Sequence, residues 1–158
     1  MTIKKHVFPF IFVVLLVAID QLTKYLAVVF LKPIREIVIF DGVFSLHYWE
    51  NAGMAFGMAQ GGRWVFVALT LPVLAFIVYY YRNLPKTRYH SVIRLFLLML
   101  MGGALGNFID RLLHGYVVDF FYFSLINFPI FNMADIFLVV GVICLLVMTL
   151  FIKEPKNG

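Results

Sequence analysis

Apolar residues gather along the chain into four runs, at about residues 8–30, 64–81, 93–113 and 132–152. Each run is close to the roughly 20 residues that a helix needs to cross the hydrocarbon core of a bilayer. Helices are the expected form, because a helix satisfies its own backbone N–H and C=O groups where no water is available. The first run follows Lys4 and Lys5 as the apolar part of a signal peptide would. Asp20 and Lys24 interrupt it, however, apolar residues resume afterwards, and no clear small-residue cleavage site follows, so it reads as a retained span. Pro72 offers a point at which the second run can kink.

The stretches between the runs differ in character. Residues 36–40 and 43–49 are rich in β-branched and aromatic residues, and Asp41-Gly42 between them is a strong hairpin signal. A small β-element resting on the outer membrane surface is expected there. Residues 115–131 carry Phe120, Phe121, Tyr122, Phe123 and Phe128 and read as an aromatic loop at the membrane–water interface. Residues 82–92 read as a short basic connector. With no repeat, low-complexity tract or linker, the chain reads as a single domain, 1–158.

Basic residues set the orientation. With the N-terminus inside, that side holds Lys4, Lys5, Arg82, Lys86, Arg88, Arg94, Lys153 and Lys156. The opposite loops hold only Lys32, Arg35 and Arg63. This asymmetry predicts an all-α integral membrane protein of four transmembrane helices, with both termini cytoplasmic and an extracytoplasmic β-element.

Composition agrees. Of 158 residues, 63% are hydrophobic and 13% charged, against about 25% charged in an ordinary soluble domain. The net charge of +5 does not imply nucleic acid, since the basic residues sit mostly at the ends of apolar runs. The one cysteine, Cys144, lies inside an apolar run, so neither an intramolecular disulfide nor a cysteine-based metal site is expected.

Threading the chain through the membrane brings polar residues to one depth. Asp20 and Lys24 fall in the outer half of the first span, and Asn107, Asp110 and Arg111 at the outer end of the third. Asn132 and Asp135 open the fourth, and Asp119 lies just beyond the third. Ionisable groups inside a membrane are costly and mark a functional site by default. Plainer readings stand beside this one. Asp20 and Lys24, four apart, can neutralise each other. Asn132 can cap a helix, with Asp135 favoured by its dipole. Asp119 can cap a turn. Asp110 is expected to orient Arg111, and Gly102 with Gly106 forms a small-xxx-small packing pair. It is the convergence of Asp119 and Asp135 that favours chemistry, since paired carboxylates can share a proton and act as base and acid.

Other chemistries fit poorly. There is no HExxH, the four histidines divide between the two sides, and no serine sits in a GxSxG turn. The rival is a small proton- or ion-coupled transporter, for which midplane polar groups and an inverted repeat would be expected. Neither pattern is visible here.

Four motifs then carry a resemblance. Asp20-Gln21-Leu22-Thr23-Lys24, Glu50-Asn51-Ala52-Gly53-Met54-Ala55-Phe56, residues 102–111 from Gly102 to Arg111, and Val117-Val118-Asp119-Phe120 with Phe131-Asn132-Met133-Ala134-Asp135 occur in order. Together they resemble the lipoprotein signal peptidase (signal peptidase II) family over nearly the whole chain. The resemblance implies an aspartic endopeptidase without metal or cofactor, with Asp119 and Asp135 as the catalytic dyad. Asn51, Gly53, Asn107, Arg111, Asn132 and Ala134 match positions around the substrate or its stabilising contacts. Asp20, Lys24 and Asp110 match positions that support the fold and site. The implied substrates are diacylglyceryl prolipoproteins, cut just before the lipidated cysteine, and globomycin is the implied inhibitor. The implied setting is a bacterial cytoplasmic membrane, with a monomer surrounded by membrane lipids and the active site near the extracytoplasmic face. The proton assignment follows from position: a helix start favours ionised Asp135, leaving the shared proton on Asp119.

Overall fold

The computed structural model describes residues 3–53, 62–152 and 154. Met54, Ala55 and Phe56 of the second motif, and Lys153 and Lys156 of the basic count, lie outside the described residues. Helix α1 (Ile3–Leu26) continues into a π-helical turn, Ala27–Leu31, and leads to strands β1 (Glu36–Phe40) and β2 (Phe44–Asn51). Then come α2 (Arg63–Asn83), α3 (Arg88–Leu113), β3 (Val117–Tyr122), a 3-10 turn at Ser124–Ile126 and α4 (Met133–Phe151).

The four expected runs form helical segments long and apolar enough to cross a membrane: Val7–Leu31, Arg63–Asn83, Arg88–Leu113 and Met133–Phe151. Large apolar side chains face outward along them, with Phe10 70% exposed, Phe76 63% and Leu150 70%. Water would not tolerate so extensive an apolar surface, whereas lipid solvates it. The third helix starts five residues earlier than the apolar pattern implies. Thr87 caps it, its hydroxyl oxygen accepting the His90 N–H at 3.2 Å. Polar residues expected in a connector therefore form the first turn of α3. The second helix continues through Pro72.

Helix α3 is the centre of the bundle, and glycine lets its neighbours approach. A β-carbon on Gly102 would lie 2.8 Å from Leu16 of α1. One on Gly103 would lie 2.5 Å from the Ala134 carbonyl oxygen and 2.8 Å from Leu138 of α4. At Gly106 it would strike the Asp20 carboxylate. The small-xxx-small pair is therefore a contact surface, and it brings α1 and α4 onto α3 at the level of the polar residues.

The hairpin forms as expected. Phe40 pairs with Phe44, and Gly42 takes a φ of +66° in the three-residue connection. The aromatic segment after α3 corrects an expectation, because it is a strand and not a loop. β3 pairs antiparallel with β2, giving a three-stranded sheet in the order β1-β2-β3. Burial of β3, whose residues from Val117 to Phe120 are all buried, anchors the sheet. Tyr48, Val118 and Phe120 are buried together with Ala27 and Leu31 from the π-helical turn, so the sheet packs onto the end of α1. β1 leaves Ile37, Val38, Ile39 and Phe40 exposed at the edge.

Substituting Gly103→Val is expected to destabilise the protein by about 1–3 kcal/mol through overpacking. A lowered thermal midpoint in detergent would show this. An unchanged midpoint would mean that α3 and α4 do not approach as closely as described.

Candidate active site

The site is built where three helix ends and the sheet meet. Asn132 precedes α4, and its side-chain oxygen accepts the Asp135 N–H at 3.1 Å. The Asp135 carboxylate returns the bond, with Oδ2 accepting the Asn132 N–H at 3.1 Å. This capping box fixes the Asp135 side chain at the positive end of the helix dipole. The plainer reading of Asn132 as a cap is correct, yet its amide does more. Its Nδ2 donates to Asp119 Oδ1 at 2.6 Å and to Asn107 Oδ1 at 3.1 Å. One fully buried asparagine thus touches both Asp119 and Asp135.

Asp119 comes from β3, opposite Trp49 of β2, and not from a turn cap. Its other oxygen accepts from Asn51 Nδ2 at 2.9 Å. The residue is 2% exposed. Burial, and then the nearby charge of Asp135, push its carboxyl up to about 7, against the opposing pull of the Asn51 and Asn132 hydrogen bonds. Asp135 is less buried, and its Oδ1 accepts from Asn107 Nδ2 at 2.8 Å.

Beneath this pair lies an ionic cluster. Lys24 is 3% exposed, and its ammonium meets Asp20 Oδ2 at 2.8 Å, Asp110 Oδ2 at 3.0 Å and Asn107 Oδ1 at 3.0 Å. All three ammonium protons therefore have partners. Asp20 also accepts the Ala134 N–H at 2.9 Å, tying α1 to the start of α4. The plain reading of Asp20 and Lys24 as a neutralising pair is correct as far as it goes, with Asp110 as a third member.

Arg111 requires a correction. Asp110 does not hold it. Asp110 accepts from Gln21 at 2.8 Å and from the Val118 N–H at 3.3 Å besides pairing with Lys24. Arg111 reaches the Gly53 carbonyl at 3.4 Å and the Asn107 carbonyl at 3.5 Å, and its guanidinium lies 4.8 Å from the centre of the Phe66 ring. Neighbours on a helix point about 100° apart, which separates their partners. Gly53 also donates its N–H to Asn51 Oδ1 at 3.1 Å, shaping the chain just after β2.

All eleven candidate residues thus belong to one contiguous polar assembly. Two features went unassigned in the sequence. Gln21 donates to Asp20, Asp110 and the Gly106 carbonyl, bracing α1 against α3. Its place one residue from Asp20 within the first motif was the available signal. Nearby, Glu50 accepts from Lys32 and from the Tyr48 hydroxyl, both at 2.8 Å, and these bonds hold its carboxyl below the usual range. Among the described residues no three His, Cys, Asp or Glu side chains are arranged to hold a metal ion.

Comparison with known proteins decides the family. The sequence model of signal peptidase (SPase) II matches residues 12–151. The chain belongs to the signal peptidase II family. It is accordingly an aspartic protease, and the comparisons give the transporter alternative no support. Among relatives of this signal peptidase II member, a lipoprotein signal peptidase of Symbiobacterium thermophilum is 47% identical, with 89% of this chain and 92% of that one covered. Another, from Clostridioides difficile, is 39% identical, covering 92% and 96%. A solved bacterial membrane enzyme, determined in meso at 2.3 Å, superposes with a TM-score of 0.83 at 30% identity, covering 100% of this chain and 96% of the other.

Replacing Lys24 by Met is expected to cost about 3–5 kcal/mol, because it strands two buried carboxylates. The triple variant Asp20→Asn, Lys24→Met, Asp110→Asn is expected to lose less than Lys24→Met alone. Thermal unfolding of both proteins in detergent tests this order, and the reverse order would contradict the charge argument.

Proposed function

We propose that this signal peptidase II family member is an intramembrane endopeptidase whose catalytic pair is Asp119 and Asp135. The observation that carries the reading is the bridge formed by Asn132, which hydrogen-bonds both carboxylates and holds them at one point. Asp135, at the helix start, is the ionised partner; Asp119, buried and raised to about 7, holds the proton. Ionised Asp135 takes a proton from water as the water oxygen attacks the scissile carbonyl. Asp119 gives its proton to the carbonyl oxygen, producing a neutral tetrahedral diol. Collapse returns a proton to the leaving nitrogen, and the peptide bond breaks.

Other residues position the reactants. Asn51 holds Asp119, and Asn107 holds Asp135 while receiving Lys24. Arg111 fixes the backbone at Gly53, where the chain leaves β2 beside the dyad. Asp20, Lys24, Asp110 and Ala134 keep the three helix ends together. No metal or cofactor enters this reaction.

The substrate is a diacylglyceryl prolipoprotein, cut before the lipidated cysteine to release its signal peptide. A membrane-anchored substrate suits a site at one end of a lipid-facing bundle, where acyl chains can remain in lipid while the peptide reaches the aspartates. In this reading the chain is one membrane-embedded domain, acts as a monomer and is inhibited by globomycin. Both termini are cytoplasmic, following the excess of basic residues there. The site and sheet then lie at the extracytoplasmic face of a bacterial cytoplasmic membrane.

Purified protein is expected to convert a diacylglyceryl prolipoprotein to its mature size on a gel. Asp119→Asn and Asp135→Asn are each expected to lower the rate by at least about a hundredfold while remaining folded. Activity surviving either substitution would remove that residue from the pair.

The pH profile provides a second test. Because Asp119 must be protonated, kcat/KM is expected to fall as pH rises through about 7. Asn51→Ala removes a hydrogen bond that favours the charged form, so it is expected to move the descending limb to higher pH. A shift to lower pH would contradict the assignment.

A further inference from the structure

A second feature lies on the opposite side of α3 from the dyad. Helices α1 and α2 each pack on α3 with little contact between themselves. A groove of about 1180 Å³ runs between them. Its floor is Leu98, Met101, Leu105 and Ile109 of α3, with Val14 and Ala18 of α1 among its walls. By helical periodicity these α3 positions fall roughly opposite Gly103, Asn107 and Asp110, which face the polar cluster. The groove is therefore not an extension of the candidate active site. Its volume exceeds the roughly 300–1,000 Å³ of ordinary small-molecule sites, and its length along the helix suits a chain-like occupant.

The end of the groove remote from the dyad is basic. Arg82, Lys86 and Arg94 line it. Arg82 and Lys86 are exposed, and none of the three pairs with a carboxylate among the described residues. Arg94 is held in place by the Tyr81 and Leu84 carbonyls at the end of α2, so its charge is fixed at the rim. An apolar groove between membrane helices with unneutralised basic residues at its mouth has the chemistry of an anionic lipid site. A signal peptide fits it less well, because its positively charged leading region would meet three like charges.

We infer that this groove holds an anionic phospholipid, with an acyl chain along α3 and its phosphate at Arg82, Lys86 and Arg94. The inference does not depend on the peptidase reaction, and the proposed orientation serves only to assign the lipid to the cytoplasmic leaflet. There the lipid would fill the space between α1 and α2 and link their ends.

Native mass spectrometry of the full chain in detergent tests this, using phosphatidylglycerol and phosphatidylcholine with identical acyl chains. The wild-type protein is expected to retain phosphatidylglycerol preferentially. The Arg82→Gln, Lys86→Gln double variant is expected to lose about fivefold of that retention per charge removed. Ala18→Phe, which fills the groove, is expected to reduce retention of both lipids, whereas attraction to surface charge alone would leave it unchanged. Equal retention of the two lipids by the wild type would overturn the inference, as would unchanged retention in the double variant or in a folded Ala18→Phe protein. Displacement of phosphatidylglycerol by a synthetic signal peptide would also overturn it, by making the peptide the occupant. The double variant changes exposed residues only, so the test survives if Ala18→Phe fails to fold.

Discussion

The structure depends on a cation buried among apolar helices. Lys24 lies between Asp20 and Asp110, and without it neither carboxylate has a full charge partner at that depth. An isolated buried charge costs several kcal/mol, whereas a charge with complete hydrogen bonding is tolerated. Once Lys24 is in place, the remaining polar groups follow in sequence: Lys24 donates to Asn107, Asn107 meets Asn132, and Asn132 touches both Asp119 and Asp135. Four carboxylates then share the region with two cations, Lys24 and Arg111. That imbalance favours retaining a proton, and Asp119, the more buried of the proposed pair, is where it rests most easily.

The arrangement also explains why so small a chain places its parts so closely. Gly102, Gly103 and Gly106 allow α1 and α4 to approach α3 at the level of the ionic cluster, and the Ala134 N–H reaches Asp20 as a result. The sheet then brings Asp119 onto the end of the bundle by packing on the π-helical turn after α1. Helix ends supply Asp135 and the ionic support, while the sheet supplies Asp119 and Asn51. The basic groove lies on the other face of α3, so one helix separates two different environments.

Much of this was legible in the sequence. Long apolar runs have few alternatives to membrane helices, so the four spans and the shared depth of Asp20, Asp110, Asp119 and Asp135 could be read directly. Asn132 and Asp135, three apart before an apolar run, carried the capping signal that the structure displays. The third strand was harder to read. Val117 to Tyr122 is rich in β-branched and aromatic residues, but aromatic residues also populate membrane interfaces, and only pairing with β2 separates the two readings. The partners of Asp110 were likewise hidden. Sequence adjacency pointed to Arg111, whereas helical geometry turns Asp110 toward Lys24, Gln21 and the Val118 N–H. Arg88 to Val92 looked like a connector because helix caps extend beyond the apolar part of a span, as Thr87 does here.

The most direct test of the central claim is difference infrared spectroscopy of the purified enzyme across neutral pH, observing the stretch of protonated carboxyl groups. One carboxyl band is expected to disappear as pH rises through about 7 and to be missing from Asp119→Asn at every pH. A band that persists unchanged in Asp119→Asn, or the absence of any carboxyl titrating near neutrality, would contradict a proton held on Asp119 beside ionised Asp135.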